Sequence, residues 1–160
     1  MPGIQFSPVV LRSPEDVDKP VVLCVDDDLA VLSALRRLLR DEPYRVVTTP
    51  TPAGAFAVLR RQPISVIISD ERMPVTTGME LLSEVRDRWP SIGRIILTAF
   101  AGRDTVVRGL EAGVDLLLTK PWDGESLKRT VRRLIGEVDR ARAQDGEVDL
   151  EDLDLGGEGG

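Results

Sequence analysis

Two hydrophobic periods alternate along residues 21–140. Short aliphatic runs such as Val21-Val22-Leu23-Cys24-Val25 and Ile64-Ser65-Val66-Ile67-Ile68-Ser69 give way to longer stretches with apolar positions three or four residues apart. The first kind fits strands buried on both faces, and the second fits amphipathic helices. This predicts strands near 21–25, 44–48, 64–69, 93–98 and 115–119, and helices near 28–41, 52–61, 77–88, 102–112 and 124–140. In the first helix Leu29, Leu32, Leu35, Leu38 and Leu39 share a face opposite Arg36, Arg37 and Arg40. Five strand–helix repeats predict an α/β domain: a parallel sheet with helices on both faces and right-handed crossovers.

Composition changes the picture mainly at the ends. Residues 1–20 carry Pro2, Pro8, Pro14 and Pro20 and predict an extended arm. Residues 141–160 hold seven acids against Arg142, a charge of −6 that equals the net charge of the whole chain. Residues 21–140 carry 18 bases and 17 acids and are near neutral, which argues against a nucleic-acid footprint. The acidic, glycine-rich tail has the composition of a disordered segment. Its Val148, Leu150, Leu153 and Leu155 suit a docking peptide for a basic, apolar groove, and a solubilising tail accounts for them as well. No stretch approaches the roughly 20 apolar residues of a membrane span. No charged region followed by an apolar one opens the chain, so no secretory signal is expected. Cys24 is the single cysteine, which excludes an internal disulfide and fits a reducing, cytoplasmic setting. At mid-strand it is expected to be buried and inert.

Four predicted strands end on groups that carry chemistry. Asp26 and Asp27 follow the first, Asp70 the third, Thr98 closes the fourth and Lys120 follows the fifth. In an open parallel sheet ligands gather beyond the carboxyl ends of the strands. Three carboxylates together there repel one another unless a hard cation or protons neutralise them. With backbone carbonyls and water they make an all-oxygen site suited to Mg²⁺. Asp70 is then placed to attack a phosphorus atom, and a threonine hydroxyl with a lysine ammonium can hold the remaining phosphoryl oxygens. The chain has no histidine, so histidine catalysis and histidine metal ligation are excluded. Lys19, Lys120 and Lys128 are the lysines among 21 basic residues, so Lys120 stands out as a compact point charge. Taken singly, each residue has a plainer role. Asp26 and Asp28 can cap the first helix, Asp70 can be a turn residue, Thr98 can be structural and Lys120 can be an exposed base. Their joint occurrence in this strand order favours a site.

The stretches Val22-Leu23-Cys24-Val25-Asp26-Asp27-Asp28, Ile67-Ile68-Ser69-Asp70-Glu71-Arg72-Met73-Pro74 with Gly78, Ile95-Ile96-Leu97-Thr98-Ala99, and Leu118-Thr119-Lys120-Pro121-Trp122 resemble the receiver domain of bacterial two-component response regulators. The resemblance covers residues 21–140, about three quarters of the chain. It implies a flavodoxin-like (βα)5 fold with a five-stranded parallel sheet. It implies that Asp70 is the phosphoacceptor, and that Asp26, Asp27, Asp70 and the backbone carbonyl of Arg72 hold Mg²⁺. Thr98, Ala99 and Lys120 would bind the phosphoryl group. The bond before Pro121 is expected to be cis, which prolyl bonds tolerate. A histidine kinase or histidine phosphotransfer protein is the implied donor. The implied output surface is residues 102–140, where Arg103, Arg108, Lys128, Arg129, Arg132 and Arg133 suit an acidic protein target or a second copy of the chain. Neither nucleic acid nor membrane is an expected partner. Activity is expected to be limited to Mg²⁺-dependent self-phosphorylation and autodephosphorylation of Asp70, not enzymatic turnover. Lys120-Pro121-Trp122-Asp123 resembles receivers attached to cyclic-dinucleotide phosphodiesterase or ATPase-type output domains; with neither in this sequence, a single-domain regulator is the expectation.

Two positions depart from the family pattern. Leu117 stands three residues before Lys120, where Tyr or Phe is usual. That aromatic swings inward when the threonine moves toward the phosphate, and leucine supplies neither ring nor hydroxyl. Thr98 and Leu117 are therefore the switch positions in question, with Phe100 a candidate substitute. Thr77 precedes Gly78 where Asp is common, off the reacting atoms. Two other readings compete. A Mg²⁺-dependent phosphohydrolase of the haloacid-dehalogenase kind asks for Asp-x-Asp-x-Thr/Val, and Asp26-Asp27-Asp28-Leu29-Ala30 ends on Ala30 with no apparent cap domain. A pseudo-receiver adaptor that is never phosphorylated fits Leu117 but not the full acidic site.

Overall fold

The computed structural model describes residues 18–146, so the expected arm and acidic tail lie largely outside the described residues. Strands and helices alternate: β1 Val21–Val25, α1 Leu29–Leu39, β2 Arg45–Thr49, α2 Pro52–Arg61, β3 Val66–Asp70, α3 Gly78–Arg88, β4 Gly93–Thr98, α4 Arg103–Glu111, β5 Leu116–Thr119 and α5 Gly124–Gly146. The strands form one parallel sheet in the order β2-β1-β3-β4-β5. This is the flavodoxin-like (βα)5 arrangement. Among the described residues no helix is long and apolar enough to cross a membrane.

Successive strand residues point to opposite faces of the sheet and build two cores. Val21, Leu23, Val25, Ile67 and Ile96 face Ala55 and Leu59 of α2, Leu81, Leu82 and Val85 of α3, and Ala112 after α4. Val22, Cys24, Val66, Ile68, Ile95 and Leu97 face Leu32, Leu35 and Leu39 of α1 and Leu127, Val131, Leu134 and Ile135 of α5. The central strands read as unbroken apolar runs because helices cover both sides. The outer strands β2 and β5 are mostly half-buried.

Most boundaries lie within two residues of the expected ones, and at the starts of α1, α3 and α4 the one-residue offset is the cap residue itself, Asp28, Thr77 and Gly102. Asp28 Oδ1 accepts from the Ala30 N–H at 2.9 Å, Thr51 Oγ1 from Gly54 at 3.0 Å and Thr77 Oγ1 from Glu80 at 3.2 Å, satisfying amides that a helix start leaves unpaired. The last helix is the exception and runs past residue 140 to Gly146. Its extension, Arg140-Ala141-Arg142-Ala143-Gln144, consists of good helix formers. Arg142 anchors it by donating Nη2–H to the Ile64 carbonyl at 2.9 Å.

Candidate functional site

The register of the sheet places the strand ends side by side. β3–β4 pairing sets Asp70 opposite Leu97, and β4–β5 pairing sets Thr98 opposite Thr119. Asp70 is the last residue of β3 itself, not the first of the loop. Beyond these ends Asp26, Asp27 and Asp70 each give one carboxylate oxygen to a group of atoms lying within 4.8 Å of one another. Asp26 is buried, Asp70 half-buried and Asp27 exposed. Lys120 Nζ donates to Asp70 Oδ1 at 2.9 Å and to Asp26 Oδ2 at 3.5 Å. The other oxygen of Asp26 accepts from the Asp28 N–H at 2.9 Å. Asp28 therefore caps α1, and Asp26 is left for the cluster.

Burial pushes the Asp26 carboxyl above the usual carboxylate range. The Asp28 N–H opposes that rise, the Asp70 charge adds to it, and Lys120 opposes it again. Burial likewise disfavours the Lys120 ammonium, but hydrogen bonds and charge from Asp70 and Asp26 outweigh it and raise its pKa. One ammonium faces three carboxylates, so negative charge is left over. A donor set of carboxylate oxygens, one of them exposed to solvent, fits a hydrated hard cation such as Mg²⁺.

Thr98 reaches the same edge, yet its hydroxyl does not bond Asp70. It donates to the Glu71 carboxylate, lies 3.0 Å from the Phe100 carbonyl and accepts from the Phe100 N–H at 3.2 Å. Glu71 Oε1 in turn lies 3.4 Å from Arg108 Nη2 on α4. The sequence alone does not single out Glu71. An acid after Asp70 looks like one more loop charge until strand pairing puts it beside Thr98. Arg72 and Ala99 are exposed and, with Glu71, Thr98 and Phe100, line an open pocket of about 570 Å³ running onto the start of α4. Leu117 is half-buried against the core under α3 and α4. Phe100 is 71 % exposed and does not occupy the place of an inward-turned ring.

Local structure holds these groups in place. A Cβ on Gly78 would sit 2.0 Å from the Asp70 carbonyl oxygen, so glycine alone lets α3 begin this close to the site. The Gly78 N–H donates to the Glu71 carbonyl at 2.8 Å. Thr77 is the cap of α3. The Lys120–Pro121 peptide bond is cis. Four of the bases singled out on 102–140 have carboxylate partners: Arg108 with Glu71, Lys128 with Glu125, Arg132 with Glu42 and Arg133 with Glu137.

Residues 22–132 match the response regulator receiver domain family. The hydrogenase transcriptional regulatory protein HoxA of Cupriavidus necator is 42% identical over 135 residues, covering 84% of this chain and 27% of that protein. The transcriptional regulatory protein GlrR of Escherichia coli K12 is 37% identical over 110 residues, covering 69% of this chain and 25% of that protein. The chain thus spans about a quarter of the length of these curated relatives. Among solved structures, the signal receiver domain of an HD domain-containing protein from Pseudomonas fluorescens Pf-5 superposes with a TM-score of 0.74 at 26% identity, over 78% of this chain and 93% of that one. A CheY-like receiver domain protein from Methanospirillum hungatei JF-1 gives 0.72 at 26% identity, over 77% and 98%. With the family matched over most of its length, and with the (βα)5 topology and three acids and a lysine at one sheet edge, the chain belongs to the receiver domains of response regulators, which are signalling modules and not classical enzymes.

Proposed function

We propose that this domain accepts a phosphoryl group on Asp70 from a histidine kinase or histidine phosphotransfer protein and reports it to a protein partner through α4, β5 and α5. The observation that carries this reading is Lys120 Nζ at 2.9 Å from Asp70 Oδ1, beside two further carboxylates. An Asp70 oxygen attacks phosphorus, and a mixed carboxyl–phosphoryl anhydride forms. The P–N bond of a phosphohistidine, or the P–O bond of a small acyl phosphate, breaks, and its electrons leave with the imidazole or carboxylate. Lys120 then donates to a phosphoryl oxygen in place of the Asp70 oxygen it holds now. The Thr98 hydroxyl and the Ala99 N–H are the further donors at that edge. Asp26, Asp27, Asp70 and the Arg72 carbonyl would hold Mg²⁺, which supplies charge compensation for the carboxylates and the transferring oxygens. Water attack on phosphorus breaks the P–O bond to the Asp70 oxygen, releases inorganic phosphate, restores the Asp70 carboxylate and ends the signal.

Asp28 argues against the phosphohydrolase reading. That motif needs its second aspartate in the site, and here the Asp28 carboxylate caps α1. HoxA and GlrR are named as transcriptional regulators. An output on transcription, reached through a protein contact, fits a domain whose residues 21–140 carry almost no net charge. A cytoplasmic setting belongs to the same proposal.

The test is intact-mass analysis after incubation with acetyl phosphate and Mg²⁺. Wild type is expected to gain one phosphoryl group that alkali removes, and Asp70→Asn none. An Asp70→Asn protein that gains the same alkali-labile group overturns the assignment.

A further inference from the structure

The Thr98 hydroxyl has one proton to donate, and Glu71 stands closest to receive it. Thr98 is buried at the end of β4, and the Glu71 side chain is only 12% exposed. The second Glu71 oxygen lies 3.4 Å from Arg108 Nη2. The other side-chain partner of Arg108 is Thr105 in its own helix, so Glu71 is its link out of α4 among the described residues. One carboxylate therefore ties the strand end beside Asp70 to the fourth helix.

α4 is lightly held. Only Thr105 and Gly109 of its residues are buried, while Val106, Val107 and Leu110 stand exposed. Its cap, Gly102, offers no side-chain hydrogen bond. An element with so little burial shifts at small free-energy cost. Leu117, half-buried beneath it, carries no group that can bond to Thr98.

We propose that Glu71 is a positioning residue that withholds the Thr98 hydroxyl from Asp70 and, through Arg108, tethers α4 until a phosphoryl group competes for that hydroxyl. The proposal rests on Asp70 being the phosphoacceptor. A phosphoryl group brings several strong acceptor oxygens and added negative charge to the neighbouring strand end. The Thr98 proton turns to a phosphoryl oxygen, and the anion repels the Glu71 carboxylate. Glu71 loses one end of its tie, and its other end is an ion pair to an Arg108 side chain 59% exposed, a kind that holds little by itself. α4 is then free to move without an aromatic ring at 117.

Beryllofluoride with Mg²⁺ is the probe, read by its binding constant and by the amide NMR shifts of Arg103–Glu111. Glu71→Gln keeps the side-chain shape and removes the charge. Glu71→Asp keeps the charge and is too short to reach both partners. Both are expected to bind beryllofluoride about three- to tenfold more tightly than wild type, the net worth of one ordinary hydrogen bond. In both free proteins the α4 amides are expected part-way along the line from free to bound wild type. Arg108→Ala is expected to shift α4 the same way and to add nothing to Glu71→Gln, since both cut one tie. Tighter binding by Glu71→Gln but not Glu71→Asp reduces the effect to relief of charge repulsion and overturns the proposal. Variants that match wild type in affinity and in α4 shifts overturn it as well. A wild type that takes up no beryllofluoride overturns the phosphoacceptor reading and the tether with it.

Discussion

Lys120 Nζ bridges Asp70 Oδ1 at 2.9 Å and Asp26 Oδ2 at 3.5 Å, so one ammonium joins the acid that ends β3 to the acid that follows β1. It competes with a metal for those oxygens, and it is also placed to hold a phosphoryl oxygen. Lys120→Met is therefore expected to split two quantities that usually move together. Mg²⁺ binding should tighten, by about three- to tenfold, because a competing cation is gone. Phosphorylation by acetyl phosphate should slow by about a hundredfold or more, the usual cost of losing a donor to a developing oxyanion. Titration calorimetry and intact-mass kinetics read the two, and a parallel fall in both would reduce Lys120 to a structural role.

Asp26 and Glu42 give opposite pH dependences. The buried Asp26 has a raised pKa in the fold, so the folded state holds that proton more tightly than the unfolded chain. Between the ordinary carboxylate range and the raised value, metal-free stability falls as pH rises. Asp26→Asn is expected to abolish that decline and to weaken Mg²⁺ binding by at least about tenfold. Glu42 is held low by its hydrogen bonds from Arg132, at 2.6 and 2.7 Å. Its stabilisation is present above the ordinary carboxylate range and is lost as pH falls through its depressed folded value. Arg132→Ala is expected to flatten this acid limb. Urea unfolding without metal across the acidic range, with each variant, checks both signs.

The central strands were legible because each is covered on two sides and reads as an unbroken apolar run, β1 at Val21–Val25 and β3 at Val66–Asp70. The acids beyond them were legible because a charge at the end of such a run has few structural uses. Residues whose meaning depends on register were not. Arg94 lies mid-strand, yet its side chain turns to the carbonyls of Gly113, Ile92 and Pro90 at 2.6, 2.9 and 3.2 Å. Glu71 acquires its partners, Thr98 and Arg108, only when β3 pairs with β4 and α4 folds back. The full length of α5 is not legible in the sequence either. The acids beyond residue 141 dominate the composition there and mask the helix-forming Ala141-Arg142-Ala143-Gln144.

Thr77 caps α3, and its hydroxyl accepts from the Glu80 N–H at 3.2 Å. Thr77→Ala is expected to cost about 1 kcal/mol of stability, the worth of a helix N-cap. Thr77→Asp should restore it and leave the rate of phosphorylation unchanged. Denaturant unfolding and acetyl phosphate kinetics check the pair, and a rate that follows the cap would place Thr77 in the chemistry.

Cys24 lies mid-strand in β1 with no exposed surface, and burial pushes its thiol up to about 12. The thiolate is the reactive form, so a small thiol reagent at mildly alkaline pH should leave the native protein unlabelled and label it fully in denaturant. Labelling of the native protein at a rate independent of denaturant would contradict this packing of the sheet.

The most direct test of the account locates the acyl phosphate itself. The protein is treated with acetyl phosphate and Mg²⁺, reduced with borohydride so that a phosphorylated aspartate becomes homoserine, and sequenced by peptide mass spectrometry. Homoserine at position 70, with Asp26 and Asp27 intact, is the expected result. Homoserine at 26 or 27, or no conversion while the phosphoryl mass is present, would contradict it.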